Sequence, residues 1–389
     1  MRMRHPDGTV VHLAYCTNVH PTEDLEALLE QVSSYGGGVR SRLGVDRLGL
    51  GLWLPAPVAT HLAGNDADLQ RLRSALAGNG LEVVTLNAFP YAGFHDPEVK
   101  KAVYRPDWCE PARLEYTLNC AAVLARLLPD DAERGSISTL PLGWRSPWYA
   151  DRQRQAEDHL ARLADGLDKL EAETGRSVRV GLEPEPGCIV ETTTDAAERL
   201  AAVDTERIGV CLDTCHLAVQ FEDPAAALRR LSDAGLPVVK TQASAALHAA
   251  APADPALRRE LTRYAEDRFL HQTREHAGDR TVGRDDLPEA LEGRRALRGR
   301  GPWRVHFHVP LHQRPAEPLD GTHDHLEQTL RLLFGGPSAV TDHIEVETYT
   351  WSVLPQGRRP EDVAGLVDGL AAELSWAAER LIGIGMEAL

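Results

Sequence analysis

Val178-Arg179-Val180-Gly181-Leu182-Glu183-Pro184 and, one amphipathic stretch later, Ile208-Gly209-Val210-Cys211-Leu212-Asp213-Thr214 are the two runs on which the fold turns. Side chains of a strand alternate between faces. Val178, Val180 and Leu182 therefore share one face and leave Gly181 and Glu183 on the other, and Ile208, Val210, Leu212 and Thr214 likewise leave Gly209, Cys211 and Asp213. Each run is a short strand that ends on a carboxylate before the next amphipathic stretch, which is the reading frame of a βα unit in a parallel sheet.

The same rhythm extends in both directions. Nine runs read as strands: His12-Asn18, Leu48-Leu54, Glu82-Phe89, Ser136-Pro141, Val178-Pro184, Ile208-Thr214, Pro237-Gln242, Arg304-Val309 and His343-Thr350. Helices are predicted over Pro111-Leu128, Trp148-Glu173, Ala196-Val203, Ala225-Ala234 and Pro360-Ile382. Ser146-Pro147, Asp223-Pro224 and Asp254-Pro255 each set a capping residue before a proline suited to the first helical turn, and Asp195 with Glu198 reads as a capping box. Repeated βα units of this number predict one α/β domain over residues 1–389, a single (β/α)8 TIM barrel, and one run too many for its eight places. The chain is longer than the roughly 250 residues of a bare barrel. The excess lies in residues 244–301, whose charged, Ala- and Leu-rich composition predicts a helical insertion before the last strand, over the barrel mouth.

The balance of 42 Lys+Arg against 58 Asp+Glu gives a formal net charge of -16, with no basic run, which argues against nucleic acid and anionic membrane surfaces as partners. Met1-Thr9 carries arginines without an apolar run behind it, and no stretch approaches the roughly 18 to 20 apolar residues of a membrane span, so a cytoplasmic protein without membrane insertion is expected. The six cysteines are dispersed without a paired framework and read as free thiols. The partner expected is a small-molecule metabolite; the oligomeric state is left open.

Ionisable groups recur on the inner face of the late strands: Glu183, Asp213, Lys240 with Gln242, and Glu345 with Glu347. One such residue could belong to a buried ion pair, Lys240 with Glu345 for example. Several buried carboxylates without a cation would repel one another and be desolvated, so a divalent ion is expected. Glu183, Asp213 and Glu347, joined by Gln242 or a histidine, offer the mixed oxygen-rich set that suits Mn, Mg or Zn. His306 and His308 project to one side of Val305-His306-Phe307-His308-Val309; His308, further along the run, is the expected ligand, and His306 is assigned to the substrate. His216, Lys240, Asn18, Asn87 and Trp53 complete the expected substrate surroundings. Glu185 and Glu191, near a turn, rank lower because turn carboxylates are usually solvated.

Gly181-Leu182-Glu183-Pro184-Glu185-Pro186-Gly187 and Cys211-Leu212-Asp213-Thr214-Cys215-His216 resemble the xylose-isomerase-like TIM-barrel superfamily of sugar isomerases, epimerases and endonuclease-IV-type enzymes. With Tyr15-Cys16-Thr17-Asn18-Val19-His20 and Glu345-Val346-Glu347-Thr348-Tyr349-Thr350-Trp351, the sequence is most similar to the EboE-type metabolite-traffic proteins. The resemblance implies that a Glu, Asp, His, Glu metal set maps to Glu183, Asp213 and Glu347, with Glu345 as an alternate, and that Gln242 stands where the histidine belongs. It also implies a substrate contact for His216. The expected function is a metal-dependent sugar isomerase or epimerase acting on a small oxygen-rich metabolite, with Glu183 and Glu347 exchanging the proton. A metal-dependent hydrolase and a non-catalytic metabolite-binding or traffic protein are the alternatives.

Overall fold

The computed structural model describes residues 1–389. Eight of the nine predicted runs form the barrel: β1 (Val10–Cys16), β2 (Leu48–Trp53), β3 (Leu81–Asn87), β4 (Arg134–Thr139), β5 (Ser177–Leu182), β6 (Ile208–Asp213), β7 (Val238–Ala243) and β8 (His343–Val346). Each pairs in parallel with the next. β8 returns to β1 with His343 opposite His12 and Val346 opposite Tyr15, which closes the sheet and leaves it no internal edge. Arg2–Arg4 folds back antiparallel on the start of β1 and carries the C-terminal Glu387–Ala388 strand.

Helices over Pro111–Leu127, Ala150–Thr174, Thr193–Arg199, Pro224–Asp233, His323–Phe334 and Val363–Gly383 supply much of the outer layer. Asp223 and Asp254 cap as predicted, accepting from the backbone N–H of Ala226 and Ala256. Two caps differ. The helix expected to start behind Ser146 begins at Ala150, behind Tyr149. The capping box is Thr192 with Asp195, so Asp195 is the residue that reaches back and not the cap itself.

The ninth run, Trp303–His308, belongs to a separate antiparallel sheet with Ala246–Ala249, Thr273–Ala277, Arg280–Arg284 and Asp320–Gly321. This corrects the helical expectation for residues 244–301: two short helices, Pro255–Thr262 and Leu287–Leu291, are present, but the sheet organises the insertion. Its outer strand Arg280–Arg284 is largely exposed on both faces and shows no apolar alternation, so only the two-residue hairpin turn Gly278-Asp279, with Gly278 at φ +67, marked a strand pair in the sequence. The arginines and glutamates that read as a helix surface serve side-chain pairing instead, Arg274 with Glu191 for instance.

Trp303, Phe307, Leu257 and Leu261 of the insertion lie in one buried apolar cluster with Leu50 and Val180 of the barrel. The Gln272 amide of the insertion donates to the Pro186 carbonyl just beyond β5 at 2.8 Å, which sets the insertion at the C-terminal side of the strands. Inside the barrel, Lys240 and Glu345 form a fully buried ion pair beneath that rim. Gly51 on β2 makes room for it, since a Cβ there would fall 1.5 Å from Glu345 Oε1.

Candidate functional site

The strand ends deliver the floor of the site. Glu183 follows β5, Asp213 ends β6, and Glu347 follows β8; their carboxylate oxygens lie within 4.8 Å of one another and all three residues are buried. The register explains why Gln242 joins them: it sits opposite Asp213 on one side and Glu345 on the other. Asn18, past β1, and Asn87, ending β3, both donate to Glu347 Oε1, at 2.7 and 2.9 Å. Asp213 Oδ1 accepts from the His216 N–H at 2.9 Å and from Ser244 Oγ at 2.7 Å.

Histidine tautomers follow from partners that only accept. His308 Nδ1 faces the Glu347 carbonyl at 2.7 Å, so it carries the proton and leaves Nε2 a bare lone pair, 4.0 Å from Asp213 Oδ2. His216 Nδ1 donates to the Pro184 carbonyl at 3.0 Å. His306 Nδ1 lies 2.7 Å from Gln272 Oε1, whose orientation is fixed because Gln272 Nε2 donates to the Pro186 carbonyl. The Nε2 atoms of His216 and His306 then face each other at 3.0 Å, and neither Nε2 carries a proton while both rings are neutral. Burial holds His216 down to about 4 and His306 well below the usual imidazole range, so a proton between them is disfavoured near neutral pH.

Burial, together with the charges of Glu347, Asp213 and Glu185, pushes the Glu183 carboxyl well up; burial, Asp213 and Glu345 do the same to Glu347. Burial also opposes ionisation of Asp213, yet the adjoining imidazoles of His216 and His308 and its two donors bring it below the usual range. Glu183 Oε2, Asp213 Oδ2, His308 Nε2 and both amide atoms of Gln242 are buried without a hydrogen-bond partner. Four of these, Glu183 Oε2, Asp213 Oδ2, His308 Nε2 and Gln242 Oε1, carry unmet lone pairs, which are costly in the interior unless a cation meets them. The residues fit a divalent ion held by Glu183, Asp213 and Glu347, with His308 and Gln242 within the same surroundings. A second group, Glu185, His216 and His306, offers three further ligand atoms within 4.8 Å of one another.

The floor opens into a narrow cavity of about 50 Å³ lined by Asn18, Asn87, Glu183, His216, His306, His308 and Glu347, which brings seven of the predicted site residues to one space. Four others fall elsewhere. Asp213 and Gln242 lie in the floor without lining the cavity. Lys240 is committed to Glu345 below the floor, which corrects its assignment to substrate. Trp53 is also set back: its indole donates to the Pro90 carbonyl at 2.9 Å and its ring packs on Phe94 and His95, so it backs the wall instead of forming it.

Glu185, ranked low as a turn residue, is buried and lines the cavity; burial pushes it up to about 8 against a hydrogen bond from Tyr104. The Glu183-Pro184-Glu185 spacing of two was the available signal, because it sends both carboxylates the same way in extended chain. Cys215, read as a plain buried thiol, stands with His306 and His308 in a third possible ligand group. Tyr349, which alternation sets on the inward face after Glu345 and Glu347, also lines the site, together with Tyr104, Phe94 and Phe269 from segments where no periodicity points to them.

A closed parallel barrel with acidic and imidazole side chains at its C-terminal rim defines a class, and the comparison of sequences agrees with it. The chain belongs to the xylose isomerase-like TIM barrel family, whose model matches residues 41–266. No curated protein sequence matches it significantly. Among solved structures, an L-ribulose 3-epimerase is similar at 12% identity, over 96% of this chain and 95% of that one, with a TM-score of 0.52. D-psicose 3-epimerase from Clostridium cellulolyticum H10, solved with D-tagatose, is similar at 13% identity over 95% and 99%, with a TM-score of 0.50. The probable 3-DHS dehydratase AsbF of Bacillus anthracis follows at 14% identity, over 94% and 98%, with a TM-score of 0.47. The likeness to the two epimerases shows the shared barrel.

Proposed function

We propose that the protein is a divalent-metal-dependent isomerase or epimerase acting on a small metabolite that carries a hydroxyl beside a carbonyl. The observation behind this reading is the convergence of Glu183, Asp213 and Glu347 on one point with orphaned oxygens and the bare His308 Nε2 beside them. A divalent ion there would polarise the substrate oxygens and make the carbon between them more acidic. Asn18 and Asn87 hold Glu347 by one oxygen and leave the other free, and Glu183 keeps Oε2 free. The two carboxylates thus border the same cavity, one to remove a proton and the other to return it. Their buried setting favours holding that proton, as general acid–base work requires.

The test is solvent deuterium uptake at the carbon beside the carbonyl, with Mn²⁺-loaded protein and a panel of hydroxyketones. Exchange that is lost in Glu183→Gln and Glu347→Gln, with metal content checked in each, supports the assignment. A protein that binds such ligands yet exchanges no deuterium is a binding or traffic protein instead. Metal-assisted hydrolysis is a second reading, favoured by one observation: the Glu185, His216 and His306 group beside the first could hold another ion.

A further inference from the structure

The floor and the roof of the cavity differ in chemistry. The carboxylate and imidazole groups that line it belong to the floor, and the Tyr349 hydroxyl, 3.5 Å from His306 Nε2, stands where floor and roof meet. The roof is made by Phe94, Val99 and Val103, from the segment after β3, and by Phe269 and Leu270 of the insertion. Phe94 packs on Phe269 and on Tyr349 with ring centroids at 5.1 and 5.4 Å, so the apolar surface is continuous.

The polar side chains nearest the roof are already engaged. Tyr104 donates to Glu185 and accepts from Gln272, both at 2.7 Å. Lys100 is the only lysine or arginine lining the cavity, and its ammonium is bound by Asp286 at 2.7 Å and by the Phe269 and Glu266 carbonyls at 2.8 and 3.2 Å. The backbone N–H groups of Val99 and Lys100 both donate to the Arg268 carbonyl, which clasps the two halves of the roof together. No side-chain cation is left to meet a phosphate at the roof, and the floor beneath is rich in carboxylates.

A polyol in this space would turn hydroxyls toward a surface that cannot bond them. Each hydroxyl buried without a partner weakens binding by about tenfold, whereas an apolar substituent gains from leaving water. We propose that the substrate is a chelating hydroxyketone bearing an uncharged aryl or branched-alkyl group, seated against Phe94, Val103 and Phe269, and lacking both a phosphate and a polyhydroxyl tail. The chelating end rests on the metal reading above; the apolar end rests on the roof alone.

Calorimetric titration of the full chain, metal-free and Mn²⁺-loaded, separates the two. The probes are 1-hydroxy-1-phenylpropan-2-one, dihydroxyacetone, dihydroxyacetone phosphate and D-fructose. The phenyl ketone should bind at least about tenfold more tightly than dihydroxyacetone or D-fructose in both metal states, from the area its ring removes from water. Val103→Thr, nearly isosteric but with a hydroxyl in the roof, should narrow that preference several-fold while the circular dichroism spectrum is unchanged. D-fructose or dihydroxyacetone phosphate binding as well as the phenyl ketone, or no binding of the phenyl ketone in either state, overturns the proposal. A chain that retains no metal but still prefers the phenyl ketone refutes the metal reading and leaves the apolar roof standing.

Discussion

Replacing Glu345 by glutamine should cost stability without touching metal binding, although Glu345 and Glu347 lie two residues apart and share the inward face of their strand. Glu345 is fully buried and paired with the equally buried Lys240, and it belongs to none of the clustered ligand groups. Loss of its charge leaves an ammonium in the barrel interior without a counter-charge. Breaking a buried pair in this way costs about 3–5 kcal/mol. At roughly 2.1 cal/mol/K per residue, unfolding 389 residues carries an entropy of about 0.8 kcal/mol/K, so a 4 kcal/mol loss lowers Tm by about 5 °C. Lys240→Met combined with Glu345→Leu removes both charges and should recover most of that loss. Scanning calorimetry gives the midpoints, and elemental analysis of the same samples gives the metal content. A Glu345→Gln protein with normal Tm and lost metal, or a double variant no more stable than the single one, would refute the assignment of Glu345 to structure.

Other outcomes follow from the same geometry. His306→Ala should abolish uptake of any second Zn²⁺ and leave the first ion bound, which a stoichiometric titration reads directly; loss of both ions would merge the two sites into one. Glu373 is buried and pushed up to about 7 by burial, against hydrogen bonds from Thr348, the Leu311 N–H and Trp351. Its folded state keeps the proton longer than the unfolded chain does, so this group makes stability fall as pH rises from about 4.5 to about 7, by up to about 3 kcal/mol, and adds no further slope above that. Urea midpoints across that window should decline in the native protein and decline less in Glu373→Gln; parallel curves would show that Glu373 ionises normally.

Much of the barrel was legible because its strands are short apolar runs bounded by turn and capping residues, and because only eight places exist for nine candidates. Glu183, Asp213 and Glu347 were legible for the same reason: alternation sends them inward at the mouth, where charges need an explanation. The outcome for Lys240 shows the limit of that argument. Alternation gives the face of the strand and not the height in the barrel, and one inward step separates a site residue from an ion pair beneath it. Trp53 failed similarly, since a strand-end aromatic does not declare whether it forms the wall or supports it. Of the insertion sheet only Trp303–His308 read as a strand; Thr273–Ala277 was hidden because Arg274 and Glu275 put charges on both faces, and the roof residues were hidden because loop side chains have no period. Glu185 was misjudged by a rule about turns that holds only where the turn meets water.

Glu183, Asp213 and Glu347 are proposed to hold one divalent ion between them. Elemental analysis after exhaustive dialysis, on the native protein and on Asp213→Ala, each shown to be folded by circular dichroism, tests this. Close to one tightly held divalent ion per chain is expected in the native protein, and a small fraction of that in the variant. Equal occupancy in the two, or no ion in the native protein after loading with Mn²⁺ and Zn²⁺, would contradict it.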